Sequence, residues 1–104
     1  MSVAVSEPVT ARDAEALLLA RIVLAASGDV MPADAMEASV FQLAGRLLMP
    51  RVPAAGEALV ATCGRYFERV GGQPWSVDEI TAHGAVVGLS RFRDAVFRAF
   101  AVAA

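Results

Sequence analysis

The stretch Leu17-Leu18-Leu19-Ala20-Arg21-Ile22-Val23-Leu24 sets the strongest constraint on the fold. At about 100° per residue its bulky apolar side chains spread over most of a helical wheel, so a helix here keeps little surface for water. Such a helix either stands at the centre of a bundle or carries a second face for another chain. Arg21 is the charge inside this run. A guanidinium among leucines needs a carboxylate or several carbonyls, because an unpaired buried charge destabilises strongly. Two roles follow: Arg21 snorkels to the rim, or it anchors an interface.

Glycine, proline and capping residues divide the rest into helical segments. Thr10 and Asp13 open a first helix over 11–27, which Gly28 closes. Pro32 suits the first position of a second helix, running to about Leu48, where Met49-Pro50-Arg51-Val52-Pro53 stiffens the connection. Its stripe is Met36, Val40, Leu43, Ala44 and Leu47, with a polar side opposite. A third helix over about 54–70 places Leu59, Val60, Cys63, Tyr66, Phe67 and Val70 at helical spacing and ends in Gly71-Gly72. Ser76 and Glu79 form a capping box, with Trp75 and Ile80 in the two staple positions, so a fourth helix begins at Val77. Gly88-Leu89-Ser90 permits a break with Ser90 as a new cap, giving a fifth helix from 91 to about 102; one kinked helix over 77–102 is the alternative.

No repeated alternation asks for a sheet. The expectation is an all-α chain: residues 1–9 as a tail and 10–104 as one small antiparallel bundle of four to five helices. Gly45, Gly64, Gly84 and Gly88 fall in or near helical stretches, where glycine is unfavourable, so close helix approach is expected there.

Composition narrows the function. In 104 residues, 57% hydrophobic and 19% charged with a net charge of -2, there is neither the polarity of a disordered tail nor a field to attract nucleic acid or an anionic membrane. All nine cations are arginine and asparagine is absent, which suggests a GC-rich bacterial gene. Cys63 stands alone and is expected in the core, so no disulfide or thiol metal site forms, and a reducing cytoplasm fits. Neither a cationic leader nor a membrane-spanning run is expected, because Arg21 breaks the longest apolar stretch. The apolar excess of so small a domain calls for cover by a protein partner or a second copy of the chain, giving a homo-oligomer.

Candidate chemistry is sparse. His83 is the sole histidine; with Glu79 one turn back it reads as a structural or capping residue, and no metal or cofactor is expected. The segment Ala82-His83-Gly84-Ala85-Val86-Val87-Gly88 resembles a histidine phosphotransfer domain, without that family's lysine and with a shifted glycine. The junction Ala26–Asp34 is similar to the helix junction of tellurite-resistance-type helical domains, though less acidic. Residues 75–100 resemble a helix-turn-helix of bacterial transcription regulators: capped helix, Gly88-Leu89-Ser90 turn and the arginine-rich RFRDAVFRAF segment. That resemblance implies DNA contacts from Arg91, Arg93 and Arg98. Arg91 and Arg98 nonetheless flank Asp94 at helical spacing and can be neutralised by it.

No catalytic residues are assigned. The favoured expectation is a non-enzymatic bacterial adaptor, inhibitor or accessory subunit acting through apolar helix faces. Its partner-binding candidates are Leu19, Arg21 and Val23 on the first helix and Arg93 and Phe97 on the last. DNA regulation is the alternative.

Overall fold

A computed structural model describes residues 11–86 and 88–103. The expected 1–9 tail and the Thr10 cap lie outside the described residues. Five helices follow in order: α1 (Ala11–Ala26), α2 (Ala35–Leu48), α3 (Pro53–Val70), α4 (Val77–Ala82) and α5 (Leu89–Ala99). The all-α bundle expected from the periodicity is what forms, without a strand among the described residues.

The helix ends obey local chemistry. Gly28, at φ +81°, closes α1: its amide donates to Ala25 O and the Asp29 amide to Leu24 O, an arrangement that needs a left-handed residue. Helix α2 starts at Ala35 rather than at Pro32, capped by Asp34, whose Oδ1 accepts the Glu37 N–H at 2.8 Å. Pro32 is instead buried in the connection. The Ser76–Glu79 capping box forms as expected, with both reciprocal hydrogen bonds. Trp75 packs on the core and Ile80 is buried in it.

The last third differs from expectation. Helix α4 stops after six residues, and Gly84 at φ +73° turns the chain. Gly88 is the N-cap of α5, so Ser90 lies inside the helix, and α5 ends at Ala99 rather than near 102. Gly84 and Gly88 therefore serve a turn and a cap, not a helix contact.

Helix α2 is the hub. It approaches α1, α3, α4 and α5, and its closest association is with α3, to which the short Met49–Val52 connection ties it as a hairpin. Residues 37–41 are all buried, so the wet side expected for α2 does not exist along its first half. The core gathers Phe41, Val40, Ala44 and Leu48 with Ile22 of α1, Leu59 of α3, Ile80 of α4 and Phe92 and Val96 of α5. Cys63 is fully buried as expected, and burial pushes its thiol up.

Two glycines let α2 and α3 meet. A Cβ at Gly45 would sit 2.7 Å from the Gly56 carbonyl oxygen, and one at Gly56 would sit 2.7 Å from that of Gly45. Gly64 faces open space, so close packing holds at Gly45 and fails at Gly64. Gly45→Ala should lose about 1–3 kcal/mol by overpacking against backbone. Gly64→Ala should gain about 0.5–1 kcal/mol of helix propensity. Urea unfolding midpoints of the two variants must move in opposite directions.

A candidate interaction site on helix α1

The Leu17–Leu24 run faces two ways. Its inner side sends Ile22 and Ala25 into the core and packs Leu18 and Leu19 against it. Its outer side stays in water: Leu17 is 62% and Leu24 42% exposed, with exposed Ala16 and Ala20 between and beside them. Met31, 45% exposed, lies just beyond Gly28. Since Leu17 and Leu24 are two turns apart, they share a face and stand about 10 Å apart along the axis. Scattered exposed apolar side chains are ordinary, but a leucine–alanine face continuous over two turns is not.

An apolar groove adjoins this face. It has a volume of about 320 Å³ and is lined chiefly by Leu17, Leu18 and Leu19 of α1, Met36 of α2, and Val86 and Phe92 beside them. Ion pairs mark its rim. Arg91 of α5 approaches Glu15 of α1 at 3.4 Å. Arg21 donates from Nε and Nη2 to the two carboxylate oxygens of Glu37, each at 2.6 Å, and from Nη2 to Met31 O at 3.1 Å.

The Arg21–Glu37 pair supplies the partner that a guanidinium on this helix required. Burial by itself raises the Glu37 pKa, but hydrogen bonds from Arg21 and the Ala33 amide, with the charge of Arg21, outweigh it and hold the carboxyl below its usual range. The fork fixes the entry to α2 against α1. It also accounts for Arg21 without an external partner.

The remaining predicted residues are dispersed. Leu19 packs on the core while lining the groove, Val23 is half-buried, and Phe97 packs on the core from α5. Arg93 is exposed and contacts its neighbour Asp94 at 3.3 Å. The expected neutralisation of Asp94 by Arg91 and Arg98 is thus replaced by Arg93, with Arg91 engaging Glu15. Leu17 and Leu24, which the wheel alone could not separate from their neighbours, make the exposed face. Their distinguishing signal is that both lie opposite Ile22, at about 140–160° round the helix, but only the packing shows that Ile22 points inward.

His83 caps α4. Its ring packs against Trp75 at a tilt of 43°, with centroids 4.5 Å apart, and Nδ1 lies 3.0 Å from Glu79 O. The Glu79 carboxylate turns instead to the Ser76 amide, which lowers its pKa. Among the described residues no group of three or more His, Cys, Asp or Glu side chains could hold a metal ion, and no helix is long and apolar enough to cross a membrane. Helices α4 and α5 each approach α2 but not one another, so residues 75–100 do not build the packed pair of a helix-turn-helix.

The ion pair makes a signed prediction. With its pKa depressed, Glu37 contributes stability that is present above the unfolded value of about 4.3 and lost as pH falls through the folded value. In Arg21→Met, burial acts unopposed by the guanidinium and raises Glu37, so its contribution should reverse, with stability falling as pH rises through about 4.3. At neutral pH the variant should be about 2–3 kcal/mol less stable, below the loss for a fully buried pair because the guanidinium is partly exposed. Denaturation measured from pH 3 to 7 reads both the loss and the sign.

Compared with protein-family models, curated proteins and solved structures, the chain matches none significantly.

Proposed function

We propose that this chain is a small non-enzymatic interaction module that binds a protein through the outer face of α1 and the groove beside it. The observation that carries the reading is the exposure of Leu17 and Leu24 on one face, beside an apolar groove with ion pairs at its rim. Water contact with that surface is unfavourable by roughly 25 cal/mol per Å² of apolar area, so covering it is a driving force for association. The hub arrangement supports the same role, because α2 and α3 form a braced pair against which α1 is displayed.

The reading extends to an adaptor, inhibitor or accessory subunit in a bacterial cytoplasm, on the arginine-only cations and the lone buried Cys63. DNA regulation has less support. Arg91 and Arg93 are engaged with carboxylates, α4 and α5 do not pair, and the net charge of -2 offers phosphate no long-range attraction.

A photo-crosslinking residue placed at Leu17 or Leu24 in living cells should yield discrete adducts, whereas the same residue at Arg65, on the exposed polar side of α3, should yield none. Absence of adducts from both α1 positions would overturn the interaction reading. Adducts whose mass is that of the chain plus nucleic acid would favour the regulator instead.

A further inference from the structure

We propose that the chain's own N-terminal segment, Met1 to Glu7, folds back as an extended arm into the groove beside α1, so that a binding partner reaches the groove only by displacing it. The seat of the arm stands on the geometry of the groove; its role as a gate rests on the interaction reading above.

The groove has an open backbone edge. Val86 lines it and is buried at 2% exposure. Among the described residues neither the N–H nor the C=O of Val86 makes a hydrogen bond, and the same holds for Ala85. Buried backbone donors and acceptors are almost always paired. The charged side chains nearby are engaged elsewhere, Arg21 with Glu37 and Arg91 beside Glu15. Gly84 and Gly88, which flank this edge, have nothing within 4 Å of where a Cβ would stand, so the edge is uncovered. An extended segment laid along it offers N–H and C=O groups in return, as when a strand adds to a free sheet edge. Because the groove is apolar, that segment needs apolar side chains on one face only.

The N-terminal residues have this pattern. In Met1-Ser2-Val3-Ala4-Val5-Ser6 each odd residue is large and apolar and each even one is serine or alanine, which in an extended chain puts Met1, Val3 and Val5 on one face. Glu7-Pro8-Val9-Thr10 carries proline at the second position of a four-residue turn, where its fixed φ is favoured, and α1 begins directly afterwards at Ala11. A reversal there returns the arm along α1. The reach then matches the groove. Ala14, Leu18 and Arg21 mark its course on α1, about 10 Å along the axis, which about three extended residues span. Counted back from the turn, Val5 falls level with Ala14 and Val3 level with Leu18. Glu7 stands at the positive end of the α1 dipole. So short a tether holds the arm at an effective concentration on the order of millimolar, which a foreign segment must outcompete.

A nitroxide attached to Val5→Cys in the full chain tests the seat, since Cys63 is fully buried and leaves the new thiol to be labelled. The label should broaden the amide resonances of Leu18, Ala85 and Val86 most strongly. Nitroxide-bearing chains mixed with unlabelled chains should leave the same resonances of the unlabelled ones sharp. In the doubly substituted Val3→Asp, Val5→Asp chain the Val86 amide should exchange with solvent about tenfold faster, as for an arm seated roughly nine-tenths of the time, with helical circular dichroism unchanged. That variant should also give several-fold more photo-adducts at Leu17. Broadening without focus on those residues, broadening carried from one chain to another, or a Val86 exchange rate indifferent to both aspartates would overturn the arm. A seated arm whose loss leaves the adduct yield at Leu17 unchanged overturns the gate. Adducts without a seated arm defeat this inference and leave the interaction module standing; a seated arm with no adducts in either chain defeats the module and the gate and leaves the seat.

Discussion

Five consecutive residues of α2, Glu37 to Phe41, are buried, and a helix buried through more than a full turn has to be enclosed on every side. The rest of the molecule is arranged around that requirement. Helix α3 closes one side through the Gly45–Gly56 contact, α1 and α5 close others with Ile22, Phe92 and Val96, and α4 adds Ile80. Polar groups caught in the enclosed turn are satisfied within the chain. Glu37 is held by Arg21 and the Ala33 amide, while the Ser39 hydroxyl donates to Ala35 O and accepts from the Trp75 amide. No buried side-chain nitrogen or oxygen among the described residues is left without a hydrogen-bond partner, so the core side chains carry no polar strain that a ligand would have to relieve.

That arrangement decides the fate of α1. A bundle has one centre, and with α2 occupying it α1 is a flank helix despite the apolar residues on nearly every side of its 17–24 stretch. Its excess apolar surface then faces outward. The Arg21–Glu37 fork keeps the helix seated while this happens, since turning α1 to hide Leu17 and Leu24 would pull Arg21 from its carboxylate and expel Ile22 from the core. The outward leucines are therefore a consequence of packing that is stable elsewhere.

Much of the fold was legible along the chain. The Ser76–Glu79 box and Gly28 are local devices whose bonds span a few residues, so their sequence spacing is sufficient to place them. The helical periodicity of 54–70 likewise gives α3 to within a residue at its start. Errors concentrate where two local signals compete. Pro32 and Asp34 both suit a helix start, and the carboxylate captured the Glu37 amide. Gly88 and Ser90 both suit a cap, and the backbone reversal at Gly84 put Gly88 first. The site was legible only in outline. An apolar excess on the first helix is evident in the sequence, but its wheel does not separate Leu19 and Val23, which are half-buried, from Leu17 and Leu24, which stand in water.

By itself the sequence determined the helices, most of their ends, the burial of Cys63 and the surplus of apolar surface on residues 17–24, because each of these depends on side-chain period or on hydrogen bonds between near neighbours. Only the tertiary structure decided that α2 rather than α1 is central, that Arg21 answers Glu37, that Gly45 meets Gly56, and which leucines remain outside. Those outcomes depend on the rotation of each helix about its own axis. A helix with apolar residues on nearly every side carries no preference for one rotation, and contacts with residues distant in the chain choose it.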